Sequence, residues 1–190
     1  GWDGGIIIHG GKNHLVERCY IHTPHSSSNS WLYSHPTGPE AIFIDKTKGG
    51  TVIRYNDLIG SDKRRWNDTG NGQIDGGFGR DSDIYGNLFA YANDDSIEIE
   101  GGEMNIRLYY NKFQGSYCGV STGCCRLGPS YQYRNVFYRM GDENNHYTRG
   151  DEMCIVTYKG VRFALNICYD IRFPVWSRNK GNKYDVLINI

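Results

Sequence analysis

Asn87, Asn111 and Asn135 stand 24 residues apart, and each opens the same short motif: Asn87-Leu88-Phe89, Asn111-Lys112-Phe113 and Asn135-Val136-Phe137. Two earlier copies, Arg18-Cys19-Tyr20-Ile21 and Tyr55-Asn56-Asp57-Leu58, lie at wider intervals. A second phrase precedes the first in each unit, as Ile8-His9-Gly10-Gly11, Ile44-Asp45-Lys46-Thr47, Ile74-Asp75-Gly76-Gly77 and Ile99-Glu100-Gly101-Gly102. From the phrase to the motif the distance hardly varies: Ile44 to Asn56 and Ile99 to Asn111 are both 12 residues, Ile74 to Asn87 is 13 and Ile8 to Cys19 is 11. A fixed internal spacing, with insertions admitted at one place per unit, marks a stack of coils in which each repeat packs on its neighbour.

Each unit predicts two strands. Alternation in Ile42-Phe43-Ile44 and Ile97-Glu98-Ile99 turns Ile42, Ile44, Ile97 and Ile99 inward, and Gln73-Ile74 is the matching strand of the third unit. In the second strand Ile53, Ile84 and Leu108 occupy the equivalent inward positions. An asparagine stacked on the next coil's asparagine satisfies backbone groups at a bend where no strand ladder exists. The expected fold is all-β, a right-handed parallel β-helix of about five coils over residues 1–140. Fifteen tyrosines and 25 glycines favour strands and turns in the same way. A β-sandwich also has regularly spaced strands, but it does not account for two motifs recurring in one order at one separation.

Stacking lines up equivalent positions. The residues after the inward isoleucines are His9, Asp45, Asp75 and Glu100, a file of ionisable groups on one outer face, and one strand step earlier that face carries Glu98. Asn93-Asp94-Asp95 leads into the fourth unit. Carboxylates held about 5 Å apart repel, so one takes a raised pKa and serves as an acid while its neighbour stays ionised. Asp75, Glu100, Asp94 and Asp95 are therefore the catalytic candidates, with His9, Asp45 and Glu98 along the groove. Such pairs suit glycoside hydrolysis, and they suit Ca2+ in lyase chemistry on uronates. A solvated polar face is the plainer reading of any one of them. Two insertions reach the same edge: residues 22–40 bring Trp31 and Tyr33, and residues 60–72 bring Arg64, Arg65 and Trp66, rings to stack on sugars and cations to meet uronate carboxylates.

Asn93-Asp94-Asp95-Ser96-Ile97-Glu98-Ile99-Glu100-Gly101-Gly102, with Asn105 to Asn111 and Tyr133 to Phe137, resembles the right-handed parallel β-helix repeat proteins of the pectate-lyase-like superfamily. The resemblance implies a polysaccharide-acting protein, secreted or at the cell envelope. Asp94-Asp95 resembles the acid pair of polygalacturonases, whose Asn-Thr-Asp and Arg-Ile-Lys motifs are absent here. The same fold serves non-catalytic adhesins.

After Met140-Gly141 the vocabulary changes. Met153 to Tyr158 and Val161 to Ile167 read as strands joined by a tight Lys159-Gly160 turn, Val175 to Asn179 as a helix start, and Tyr184 to Ile190 as a buried strand. Cys168 sits at a strand-to-helix elbow, where backbone amides favour a thiolate. His146-Tyr147-Thr148, Asn166-Ile167-Cys168-Tyr169-Asp170-Ile171-Arg172-Phe173-Pro174 and Asp185-Val186-Leu187-Ile188 resemble the carbon–nitrogen hydrolase (nitrilase) superfamily, in its ω-amidase-like branch. The resemblance implies a partial α/β sandwich over residues 141–190, with Cys168 as nucleophile and Glu143 as an accessory glutamate. That family also uses a base glutamate, whose region the solenoid replaces, and a lysine, whose slot falls on Arg134. A guanidinium does not reproduce ammonium geometry. The segment is expected to be inactive alone, and the chain to join two unrelated fragments.

The 21 basic and 21 acidic residues argue against a nucleic-acid partner, and no apolar run reaches membrane-spanning length. Six cysteines show no zinc spacing. A monomer acting on polysaccharide is the expected state; the nitrilase-like part by itself would be cytoplasmic.

Overall fold

The structure is a computed structural model, and it describes residues 4–72, 77–123, 126–141, 153–166 and 179–189. The chain forms two compact units, Gly1–His146 and Tyr147–Ile190.

The first unit is a parallel β-solenoid with three five-stranded sheets. Its first sheet stacks Ile6–His9, Ile42–Asp45, Gly70–Gly72, Asp95–Glu98 and Cys118–Ser121 in that order. The second stacks Leu15–Glu17, Val52–Arg54, Asp83–Tyr85, Ile106–Tyr109 and Ser130–Tyr133, and the third Tyr20–His22, Asp57–Ile59, Leu88–Ala90, Lys112–Gln114 and Val136–Tyr138. Passing from the first rung to the fifth takes the chain round about four times. Each unit thus has three strands rather than two, because the second expected strand breaks at the residue before the asparagine. That residue holds a left-handed backbone in all five rungs: Arg18, Tyr55, Gly86, Tyr110 and Arg134 have φ between 54° and 66°. Four of the five carry a side chain, at a cost of about 1 kcal/mol each.

The asparagines offset that cost. Asn56 donates its backbone N–H and its Nδ2 to Asn87 Oδ1, both at 2.9 Å. Asn87 does the same to Asn111, and Asn111 to Asn135. Each Nδ2 also reaches a carbonyl one rung back, that of Val16, Ile53, Ile84 or Leu108. In the first rung Cys19 offers only its backbone N–H, to Asn56 Oδ1, and the ladder ends there. Next to it Phe89, Phe113 and Phe137 stack at 5.2 and 4.9 Å, and on the second sheet Tyr85, Tyr109 and Tyr133 stack at 4.9 and 5.0 Å. Inside, Ile42, Ile44, Ile53, Ile84, Ile97, Ile99 and Leu108 are all 1% exposed or less. Each such side chain contributes about 1.5–3 kcal/mol of burial.

The third rung departs from the expected register. Its strand is Gly70–Gly72, with Ile42 level with Gly70 and Gly70 level with Ile97. The inward positions of this rung are glycines, and Phe78, fully buried, fills the space: a Cβ on Gly72 would lie 2.7 Å from its ring. Ile74, read as the inward residue, and Asp75 lie outside the described residues.

In the second unit Cys154–Tyr158 and Val161–Asn166 pair antiparallel, and Val186–Asn189 joins the latter in parallel. Lys159 and Gly160 both have positive φ, 48° and 81°, the backbone of a two-residue hairpin turn. Arg162 clamps Asp185 with Nε and Nη2 at 3.2 and 2.8 Å. No helix occurs among the described residues. Cys168, Glu143 and most of the expected helix start lie outside them, Asn179 excepted.

Candidate functional site

The outer face of the first sheet carries the chemistry, and register decides which side chains meet there. Ile42, Gly70 and Ile97 are level, so Glu40, Asp68 and Asp95 are level two residues earlier, and Cys118 pairs with Asp95 on the next rung. One residue further on, Phe43, Asn71, Glu98 and Ser121 form the adjoining file. Acids thus gather on the third and fourth rungs. Asp68, Asp95 and Glu98 each bring a carboxylate oxygen within 4.8 Å of the others. Asp68 is held firmly: its Oδ1 accepts the Asp95 N–H at 3.0 Å, and its Oδ2 accepts Nδ2 of Asn67 at 2.8 Å and of Asn71 at 3.2 Å. Asn71 Nδ2 also donates to Glu40 Oε1 at 3.1 Å.

Above this face lies a cleft of about 780 Å³. Asp68, Asp94, Asp95, Glu98 and Glu100 line it, and Trp31 and Tyr117 form an aromatic wall with centroids 5.7 Å apart. The 22–40 insertion is strapped across its edge. Trp31 Nε1 donates to Asp94 Oδ1 at 3.1 Å, His35 Nε2 lies 3.6 Å from Asp94 Oδ2, and Asn93 Nδ2 donates to the Ser28 carbonyl at 3.0 Å. Within the insertion Asn29 ties Ser34, His35 and Thr37 into a compact loop.

Burial and crowding raise the pKa values of Asp68, Asp94, Asp95 and Glu98 above the usual carboxylate range. Burial raises Glu98, and the charges of Glu100 and Asp95 raise it further. Asp68 is pushed well up by burial and then by Glu98 and Glu40. Asp95 rises to about 6, through burial opposed by the hydrogen bond from Cys118, whose own thiol is pushed up to about 12 by burial and by Asp95. Asp94 is raised by burial, while Trp31 and His35 pull it back. Glu40, behind the cleft, rises to about 7 because it is buried.

Among the described residues, Asp68, Asp95 and Glu98 are the set that comes nearest to holding a cation. Calcium takes six to eight oxygens, and both Asp68 oxygens already accept hydrogen bonds, so these side chains do not by themselves make a calcium site.

The residues expected at the site are brought together in part. Asp94, Asp95, Glu98, Glu100 and Trp31 share the cleft. His9 and Asp45 are level on the first two rungs, with His9 Nδ1 3.4 Å from Asp45 Oδ2, and lie outside the cleft lining. In the third rung Ile44 is level with Gly72 rather than with Ile74, and Asp75 lies outside the described residues. Tyr33 is 85% exposed and off the cleft. Trp66 is a core residue at 3% exposure, because its ring is needed where the second insertion closes on the solenoid. Arg64 sits in a tight turn with Ser61, and Arg65 sends Nη1 to the Gly115 carbonyl at 2.6 Å. Neither arginine lines the cleft.

Asp68, Asn67 and Asn71 were missed by spacing alone. A signal for them exists: Asn67-Asp68-Thr69 repeats the pattern of Asp94-Asp95-Ser96 one coil earlier, and Thr69 Oγ1 indeed donates to the Ser96 carbonyl.

No family model matches the chain, and no solved structure does. The chain is similar to Omega-amidase YafV of Escherichia coli strain K12, 47% identical over 60 residues, and to Omega-amidase YafV of Yersinia enterocolitica, 43% identical over 60 residues. In both cases the match covers 32% of this chain and spans 23% of the relative's length.

Proposed function

We propose that the solenoid is a polysaccharide-acting enzyme, a glycoside hydrolase or lyase, that holds a glycan in the cleft of the first sheet. The observation that supports it most is the meeting of Asp95 and Glu98, oxygens within 4.8 Å, inside a cleft walled by Trp31. Glu98, the more strongly raised, is the general acid that protonates the departing glycosidic oxygen. Asp95 is the ionised partner at the anomeric carbon. Their separation is nearer the about 5–5.5 Å of retaining glycosidases than the about 6.5–9.5 Å of inverting ones. Asp68 positions Asp95 through its backbone N–H, and Trp31 offers a ring face to a sugar. Asp94 and Glu100 complete the acidic lining. Such an enzyme acts outside the cytoplasm, secreted or at the cell envelope. In a glycan screen, new reducing ends identify a hydrolase and ultraviolet-absorbing unsaturated ends a lyase. Glu98→Gln and Asp95→Asn should each lower the rate about a hundredfold or more. Binding without cleavage by the wild type would instead leave a non-catalytic carbohydrate-binding or adhesin solenoid.

A second reading is favoured by the amidase similarity: residues 141–190 derive from a carbon–nitrogen hydrolase with Cys168 as nucleophile. The lysine slot falls on Arg134, whose Nη1 donates to the Tyr110 hydroxyl within the solenoid. This segment should be inactive as it stands. Amide hydrolysis by the chain, lost on Cys168→Ala, would show otherwise.

A further inference from the structure

We propose that the ligand of the cleft is a glycan bearing free amino groups, a glucosamine-type polymer whose ammonium sits between Asp95, Glu98 and Glu100. This rests on the reading of the cleft as a glycan site and names the substrate class.

Charge is the first reason. Among the described residues, five carboxyls line the cleft and no lysine or arginine does; His35, the one basic side chain there, lies 3.6 Å from Asp94. Arg65, in the second insertion, is committed to the Gly115 and Ala92 carbonyls. A uronate would bring its own negative charge into this lining and meet no cation, which is a penalty built against that class of sugar.

Hydrogen-bond inventory is the second, and it is independent of charge. Asn67 and Asn71 line the same cleft, are 5% and 6% exposed, and carry Oδ1 atoms that find no donor among the described residues. Each uses its Nδ2 on Asp68, so what remains to be satisfied is acceptors. Behind them Glu40 Oε2 is likewise unpartnered. These unpartnered groups are acceptors, and an ammonium supplies three donors together with a positive charge, whereas a carboxylate supplies none. A neutral hydroxyl supplies one donor and no charge. A bare divalent cation is served less well, because Asp68 has both oxygens in use and two carboxylates fall short of its oxygen shell.

The test is isothermal titration of the full chain with tetramers of glucosamine, N-acetylglucosamine and galacturonate, each with chelator and with added calcium. The glucosamine tetramer should bind about tenfold or more tighter than its acetylated counterpart, from hydrogen bonds to ionised groups. The galacturonate tetramer should show no binding in either condition. Glu98→Gln should erase most of that preference, read as the ratio of the two affinities. Equal or tighter binding of galacturonate, with or without calcium, overturns the proposal, as does equal binding of the two glucosamine forms. In those cases the glycan reading stands while this inference fails; a chain that binds and cleaves no saccharide of any class loses both. Should Glu98→Gln fail to fold, the wild-type ranking of the three tetramers decides alone.

Discussion

Two faces of the solenoid obey one geometry with opposite consequences. At the corner between the second and third sheets each rung repeats an asparagine, and each amide donates to the next and accepts from the last. On the outer face of the first sheet the same rung spacing, about 4.8 Å, sets carboxyl beside carboxyl. Stacking amplifies whatever is repeated: dipoles in a row reinforce one another, and like charges in a row oppose one another. A ladder of amides is stabilising and needs no ligand to explain it. A cluster of buried acids opposes folding, and such local conflicts with stability concentrate at functional sites.

The sharpest break between the two faces is pH. Asp95 and Glu40, and outside the cleft lining Glu103, a buried acid that accepts the Phe78 N–H at 2.7 Å, have folded pKa values raised to about 6, 7 and 8, each chiefly by burial. The folded state therefore holds protons that the unfolded state has released. Stability from these groups is fully present below about pH 4 and is lost as pH rises through each folded value, on the order of 10 kcal/mol in all by pH 8. Urea unfolding across that range should show the loss, and a flat profile would mean the acids are not held as described.

Cutting the amide ladder comes next. Asn87→Ala removes the acceptor of the Asn56 backbone and side chain, and strands the Ile53 carbonyl. It should destabilise by about 3–5 kcal/mol, at every pH. Asn135→Ala, at the last rung and half-buried, should cost roughly 1 kcal/mol by the same measurement.

Removing a charge from the acidic face should do the reverse. Glu98→Gln is expected to stabilise by about 1 kcal/mol at neutral and alkaline pH, because it removes an acid whose ionisation burial and its neighbours oppose, and on the proposed function it should abolish cleavage. Thermal unfolding beside the glycan assay checks both halves. A destabilised variant would argue that Glu98 is a structural acid.

The smallest effect belongs to the second unit, where the sign inverts. Arg162 holds the Asp185 carboxyl down to about 2, through side-chain and backbone hydrogen bonds. Its contribution is present above about pH 4 and is lost as pH falls through about 2. Asp185→Asn should change amide exchange in the Val161–Asn166 strand only slightly, because the pair is exposed.

Much of this could be read before any coordinates. Asn56, Asn87, Asn111 and Asn135 announced themselves by spacing, and the inward isoleucines by alternation, because both are demands repeated by every rung. The acidic cleft was half legible. Asp94, Asp95, Glu98 and Glu100 lie in one run of sequence, and Trp31 in an insertion that had to fall somewhere near them. Asp68 and Asn71 were not found, because the third rung replaces its isoleucines with Gly70 and Gly72 and borrows Phe78 to fill the interior. With no inward isoleucine to mark the strand, Ile74 looked like one. Trp66 was read as a surface ring because an insertion rich in Lys63, Arg64 and Arg65 looks solvated, while closure of that insertion buries the indole.

Repetition in the chain determined that the coils stack, for a ladder of like groups is favourable only when each copy meets the next. Which acids share the cleft was decided by tertiary structure alone: a two-residue shift in one glycine-bearing rung puts Asp68 beside Asp95 and Glu98, and no local pattern carries the position of Phe78 that permits it.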